Sequence, residues 1–462
     1  MALLIIIILL LFVPIFILFL IQIHRRSTAA KSGGVHLPPG PRGLSLIGNL
    51  HQIDNSRLHQ CLWKLSKEYG PDLVSLRLGF VPTLVLFPRL EKMAKEVMKT
   101  NDLQICSMPS LLGQQKLSYN GLDLAFAPYN DYYIEMRKLC VVNLFNPNRV
   151  QRFRPIQKDE ISRMIEKISK SVVASTSVNL SELMMLLTST ILLVKLLLGR
   201  GTIEDEGIER TSSFRIIFPF TGWVDRLTGL RSRLEKNFKN YDTFYQELID
   251  YLLDSNRLKS EQEDIINVSL QLRKERLFKI NLTIDHLFIH VVWAMTYLMK
   301  NPKAMKKAQE EIRNLMGDKG FVEEDDVRTM SVVKETMRLQ PAVPLLVPRE
   351  TTEKCILDGY VIPTKTTVFD NPKEFDLDRF LGNYVDLKGK NFEPIPFGAS
   401  RRIYPGMHMG ISTVELALAN LLYKFDWQMP DEMKKKEMNF VVQLGIIMHK
   451  KNALQLMAKN YI

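Results

Sequence analysis

A mainly α chain with a small β region, preceded by one N-terminal transmembrane helix, is the fold class the sequence predicts. Three observations predict it: an uninterrupted apolar block at the N-terminus, three- and four-residue apolar periodicity along most of the remaining chain, and a few short runs of strand character. Residues 1–21 read MALLIIIILLLFVPIFILFLI, with no charged or polar side chain. At 1.5 Å per residue, a helix of that length spans about 30 Å, the hydrocarbon thickness of a bilayer. Pro14 is compatible with a membrane helix. The flank beyond it is basic, with His24, Arg25 and Arg26 and then Lys31 and Arg42. By the positive-inside rule the bulk of the chain therefore lies on the cytosolic side. A cleaved signal peptide is the alternative, but it carries its basic residues ahead of a shorter apolar core, the reverse of the order here. Residues 1–23 are expected to be a signal anchor and 24–43 a basic linker. That linker ends in the stiff Leu37-Pro38-Pro39-Gly40-Pro41-Arg42-Gly43 hinge, and 44–462 form one folded domain.

Composition narrows the class. Apolar residues make up 46% and charged residues 24%, which is globular and excludes a disordered or collagen-like chain. Four cysteines in 462 residues cannot form a disulfide framework, so a reducing compartment is expected. The net charge of +12 suits an anionic partner. A nucleic acid is not that partner, because no basic motif with interleaved aromatics is present. A membrane surface fits.

Within the domain, apolar spacing predicts helices over 57–69, 89–100, 131–144, 155–175, 180–198, 234–254, 284–316, 331–340 and 410–423. Strands are expected at 73–78, 83–87, 356–357 and 365–369. Gly79 turns between the first two and Asp358-Gly359 comes after the third. No repeat of 20–50 residues is visible.

Two segments carry chemistry. Pro396-Phe397-Gly398-Ala399-Ser400-Arg401-Arg402-Ile403-Tyr404-Pro405-Gly406-Met407 precedes an apolar helix, and its arginine pair and small residues suit a tight loop against a flat anionic ligand. Upstream, Glu335 and Arg338 share one helix face at i,i+3 and can pair. The same spacing recurs at Glu160/Arg163 and Glu310/Arg313, where solvated faces are expected.

Taken in order, the anchor, the LPPGPRG hinge, KLSKEYGP at 64–71, the Glu335/Arg338 helix, CILDGYVIP at 355–363 and the loop at 396–407 resemble a cytochrome P450 of the plant microsomal type. The stretches at 117–150 and 420–427 are most similar to the branch that oxidises aldoximes in glucosinolate and indolic metabolism. The resemblance implies a haem cofactor, a small-molecule substrate, electrons from NADPH through a cytochrome P450 reductase, and a cytosolic domain anchored to the endoplasmic reticulum membrane. It implies that Arg137, closing Tyr133-x-x-x-Arg137, faces a haem propionate; the family usually has Trp where Tyr133 stands. Arg402 and Arg349 are the other implied propionate partners, as a guanidinium fork suits a carboxylate. Glu335, Arg338 and Arg379 match a structural salt-bridged triad.

The sequence departs from that family at functional places. The haem-ligand loop of the family reads F-x-x-G-x-R-x-C-x-G. Phe397, Arg402 and Gly406 match, Ser400 replaces the first glycine, and Tyr404 holds the axial position of the ligand cysteine. A thiolate pushes electron density onto iron and favours O–O cleavage, whereas a phenol has an ordinary pKa near 10 and must ionise before it ligates well. None of Cys61, Cys106, Cys140 and Cys355 falls in the loop, and His408 reads as a helix residue one turn on. The oxygen-groove motif of the central helix is missing, because Leu282 to His290 runs directly into Val291 to Thr296. His286 and His290 stand at i,i+4, but no third metal ligand accompanies them. A further segment is skipped between Val368 and Asn371, and Leu377-Asp378-Arg379-Phe380 is what survives of the motif beyond it. Two functions compete on these residues: a haem monooxygenase of a small, aldoxime-type metabolite, and an inactive membrane-anchored relic of the same fold.

Overall fold

The computed structural model describes Pro14, residues 37–45, 47–53, 58–70, 72–86, 91–110, 116, 118–143, 145–189 and 191, scattered positions between 232 and 243, and residues 287–317, 319–327, 331–343, 346–370, 396–430, 440–442 and 448–461. The expected anchor, apart from Pro14, lies outside the described residues, as do Arg379, His286 and most of the helix expected at 234–254. Among the described residues no helix is long and apolar enough to cross a membrane.

Helices dominate. They are α1 (Leu58–Tyr69), α2 (Glu91–Lys95, continued by a π-helical turn Glu96–Thr100), α3 (Asp102–Ile105), α4 (Asp131–Asn143), α5 (Pro147–Arg152), α6 (Arg154–Val173), α7 (Leu180–Ser189), α8 (Leu287–Lys300), α9 (Pro302–Met316), α10 (Ser331–Leu339) and α11 (Met407–Lys424). Among the described residues nine short strands complete the order: β1 (Leu73–Leu78), β2 (Val81–Leu86), β3 (Val178–Asn179), β4 (Arg349–Glu350), β5 (Cys355–Leu357), β6 (Tyr360–Ile362), β7 (Thr367–Asp370), β8 (Phe425–Gln428) and β9 (Gln455–Asn460). They form a four-stranded sheet β1-β2-β7-β4, a three-stranded sheet β3-β9-β8 and the hairpin β5-β6. β2 and β7 run parallel and the other pairs antiparallel.

Local chemistry explains the boundaries. Gly79 has φ +65 between β1 and β2, and Asp358 and Gly359 have φ +47 and +81, as a two-residue hairpin turn of primed type requires. The single helix expected over 284–316 is two. Pro302 cannot donate to a preceding turn and bars Asn301 from helical backbone, so Asn301 has φ −123 and ψ 85 and caps α9 by accepting from the Ala304 amide at 3.2 Å. Gly317, at φ +52, ends that helix. Of the helix expected over 180–198, α7 covers Leu180–Ser189, and residues 192–198 lie outside the described residues.

One large core lies among α4, α6, α7, α8, α9, α10, α11, β8 and β9. α8 is its centre: every residue from Ile289 to Thr296 is buried, and the Trp293 indole donates to the Met448 carbonyl at 2.9 Å. A smaller core joins β1, β2 and β5–β7 to α2 and reaches Ala399. α11 is buried along most of its length, with Gln157 of α6 donating to Thr413 at 2.7 Å and Asn420 exchanging hydrogen bonds with the Val322 backbone at 2.9 and 3.0 Å.

Glu335 and Arg338 form a bidentate pair on α10 at 2.7 and 2.8 Å, with both side chains buried. In the other two pairs of that spacing Arg163 and Glu310 are exposed, as a solvated face requires, while their partners turn inward. Glu160 is buried against the core and meets Arg163 at 3.4 Å. Arg313 turns away from Glu310 to Asp426 at 2.9 Å and lies 3.5 Å over the Tyr461 ring. Each pair has one inward and one exposed member, a distinction that the sequence spacing alone does not make.

Removing Glu335 takes away the buried carboxylate that Arg338 grips through two hydrogen bonds. Glu335→Ala is expected to lower unfolding free energy by about 3–5 kcal/mol. Lys306→Ala, which loses only the exposed contact to Glu310 at 3.7 Å, should cost less than about 1 kcal/mol. Urea denaturation of the full chain in detergent measures both, and equal losses would contradict the assignment.

Candidate functional site

The loop from Pro396 to Gly406 is shaped by its own backbone. Gly398 has φ +70 and Ser400 φ +61, and the short 3₁₀ turn Ser400–Arg402 comes next. The Tyr404 amide donates to the Phe397 carbonyl at 2.9 Å, and the Ile403 amide donates to the Ser400 carbonyl at 3.1 Å. The loop closes on itself and delivers Gly406 as the N-terminal cap of α11. The left-handed backbone at 400 is the physical reason for a glycine in the motif. Ser400 occupies it with a side chain, and its hydroxyl donates to the Met98 carbonyl.

α4 grips this loop. Tyr133 is buried, and its hydroxyl donates to the Arg401 carbonyl at 2.9 Å. One turn on, Arg137 donates to the Ile403 carbonyl at 2.6 Å and to the Tyr133 oxygen at 3.4 Å. Arg402 donates Nε to the Cys106 carbonyl and Nη2 to the Ala127 carbonyl, both at 2.7 Å, and lies 3.8 Å over the Tyr133 ring. Its Nη1 is buried with no hydrogen-bond partner among the described residues. Burial pulls the Arg402 guanidinium below the ordinary arginine value, against the nearby Tyr133.

Arg349 meets the loop from the sheet. It is buried in β4, donates to Asp102 at 3.1 Å and to the Ala399 carbonyl at 3.2 Å, and shares Asp102 with Arg401 at 3.6 Å. Asp102 was not singled out by the sequence. It lies 247 residues from Arg349, and no local pattern marks so distant a pair. Asp123 was missed too, although an aspartate accepting from the amide three residues on is a readable turn signal: its Oδ1 takes the Phe126 amide at 2.7 Å. Its Oδ2 is buried with no hydrogen-bond partner among the described residues, and burial raises the carboxyl to about 7, opposed by the Phe126 and Ala125 amides and by Arg402. Among the described residues no cluster of three or more metal-ligating side chains occurs; His290 is buried in the main core and His408 is exposed.

Tyr404 lies along its own loop. Its ring stacks on Phe397 at 6.2 Å and 20°, and it fills the space beside Gly406, where a Cβ would stand 3.0 Å from the Tyr404 hydroxyl.

This loop, this helix and this sheet-and-helix order define a class. A family model for cytochrome P450 matches residues 38–457, and the chain belongs to that family of haem-iron monooxygenases of small metabolites. Similar proteins are plant enzymes. A 6,7,8-trihydroxycoumarin synthase of Pastinaca sativa is 42% identical over 97% of this chain and 97% of its own. A 5-OH-xanthotoxin synthase of Ammi majus is 41% identical over 99% of each, and cytochrome P450 71B37 of Arabidopsis thaliana is 38% identical over 92% and 93%. The first of these alignments runs over 499 positions, more than the 462 residues here, so that relative carries segments with no counterpart in this chain.

The residues present do not fit the family's thiolate-bound haem. Position 404, where the family's loop motif has its ligand cysteine, is a phenol packed on Phe397 and Gly406. Burial pushes the Cys140 thiol up to about 12 and Cys355 up to about 11, and it raises Cys106 as well, so these sulfurs stay protonated. Arg137 and Arg402 spend donors on backbone carbonyls, and Arg349 holds a carboxylate of the protein itself.

Two outcomes are expected for the loop. Ser400→Gly relieves about 1 kcal/mol or more of left-handed strain and loses one hydrogen bond worth about 1 kcal/mol, so it should match or exceed the wild-type stability. Ser400→Ala keeps the strain, loses the bond, and should fall about 1 kcal/mol below. Chemical denaturation that ranks alanine above glycine would refute this account. Asp123 gives a pH signature. Its folded carboxyl lies near 7 against 3.8 for the ordinary group, so the native state binds the extra proton and stability falls as pH rises from about 4 to about 7. Asp123→Asn should flatten that descent and be more stable than wild type at pH 8; parallel pH profiles for the two proteins would disprove it.

Proposed function

We propose that this chain is a membrane-anchored protein of P450 fold that does not carry out oxygen insertion. The observation that carries the proposal is the donor set at the loop: a phenol where the chemistry needs a thiolate, and buried, protonated thiols elsewhere. A thiolate drives O–O cleavage by donating charge to iron, and no side chain at position 404 here supplies that charge. The shortened central helix points the same way, because α8 packs as a solid core helix from Ile289 to Thr296 with every residue buried. The proposal assigns residues 1–23 to a single-pass anchor in the endoplasmic reticulum membrane, 24–43 to the basic linker and hinge, and 44–462 to the cytosolic domain. The apolar block with His24, Arg25 and Arg26 directly after it supports that arrangement.

The second reading is an active monooxygenase taking electrons from NADPH through a P450 reductase. The identity of 42% to a named synthase over nearly the whole chain favours it. On this reading the substrate is a small planar aromatic. The relatives' names point to coumarin-type compounds, and the stretches at 117–150 and 420–427 point to aldoximes. Both substrates need the same thing from the protein, a ligand that activates oxygen, so position 404 decides between the readings.

The full chain expressed with haem supplied, reduced, and exposed to carbon monoxide is expected to give no thiolate-type Soret band and no NADPH-dependent turnover with a reductase. Tyr404→Cys alone should leave turnover absent, because the oxygen-groove segment is still missing. A thiolate-type band in the wild type, or oxygenase activity in Tyr404→Cys, would overturn the proposal.

A further inference from the structure

The side chains that surround the loop Pro396–Gly406 form a closed set of contacts within the protein. Tyr133 and Arg137, i and i+4 on one face of α4, hold the Arg401 and Ile403 carbonyls at 2.9 and 2.6 Å. Arg402 answers from the loop. It reaches the Cys106 and Ala127 carbonyls at 2.7 Å each and lays its charged plane 3.8 Å above the Tyr133 ring, a cation–π distance. On the other side Arg349 joins the Ala399 carbonyl to Asp102, and Asp102 receives Arg401. Tyr404 completes the interior by stacking on Phe397 and covering Gly406. Four arginines thus hold or pair with groups of the protein itself, and the loop's path is fixed at 397, 399, 401 and 403 by its own and neighbouring atoms.

We infer that this clamp replaces the cofactor as the element that orders the loop, so that the chain folds completely as a haem-free protein and does not admit haem. The contacts of Tyr404 show why entry is opposed: an iron ligand at position 404 would have to leave the Phe397 stack and the space beside Gly406. The inference deepens the functional reading above and is separable from it: a chain that bound haem through Tyr404 yet inserted no oxygen would end the clamp and leave that reading intact.

The test uses the full chain in detergent, produced without haem and then titrated with hemin. The apoprotein is expected to unfold in one cooperative transition. Hemin is expected to give no saturable one-to-one Soret change and no shift of the denaturation midpoint. Trypsin should cut slowly after Arg401 and Arg402 in the apoprotein. It should cut several-fold faster in Tyr133→Phe, which loses the hydroxyl bond to the Arg401 carbonyl and the longer one the hydroxyl accepts from Arg137. A double-mutant cycle of Tyr133→Leu and Arg402→Met should lose less midpoint than the two single changes added together, because the pair shares one contact. A saturable hemin complex with a raised midpoint, an apoprotein without a cooperative transition, or equal tryptic rates in wild type and Tyr133→Phe would each overturn the inference.

Discussion

The hold of α4 on two backbone carbonyls is the contact on which the rest of the site depends. Tyr133 and Arg137 are one helical turn apart, so a single face of α4 meets residues 401 and 403 of the loop at once. The helix also belongs to the main core through Met136 and Cys140, both buried. The loop is therefore carried by the same hydrophobic packing that holds the helices. Its other end continues without a break into α11, which is buried in that core as well.

A second, independent tie comes from the sheet. Arg349 on β4 and Asp102 at the start of α3 are both buried, and each reaches the loop, at the Ala399 carbonyl and at Arg401. Ala399 belongs to the smaller core around the four-stranded sheet, whereas Phe397 and Met407 belong to the larger one. The loop is thus the seam between the two cores. Buried ion pairs give little net stability over an apolar filling but penalise any arrangement that breaks them. At a seam that asymmetry fixes the relative placement of helices and sheet.

Much of the fold was legible because it obeys local rules. The strand at 73–78, the helices at 58–69, 131–143 and 331–339, and the Asp358-Gly359 hairpin turn are set by periodicity and by residues that tolerate positive φ. The two-residue strands β3 and β4 were not legible, because they carry no period and exist only through partners far along the chain. The break at Asn301-Pro302 was legible in principle, as a capping residue before a proline, but the apolar rhythm on either side masked it. At the site, Arg137, Arg402, Glu335 and Arg338 were found through neighbours in sequence. Asp102 was not, since what makes it matter is a guanidinium brought to it by the topology. The partner of Arg349 is a tertiary fact, and motif matching alone assigned it to a propionate.

The character of the contacts at the loop explains why its ligand residue can change while the fold persists. Tyr133, Arg137, Arg349 and the Tyr404 amide all act on main-chain groups, at 401, 403, 399 and 397. Carbonyls and amides are present whatever side chain the residue bears, so the loop's register does not depend on the identity of residue 404. The side chain there packs as a flat ring on Phe397 and against Gly406. Chemistry and structure are held by different atoms of the same residue. On the proposed reading, a tyrosine in place of the family's cysteine removes the first and leaves the second, and the family remains recognisable from the backbone-holding residues around position 404.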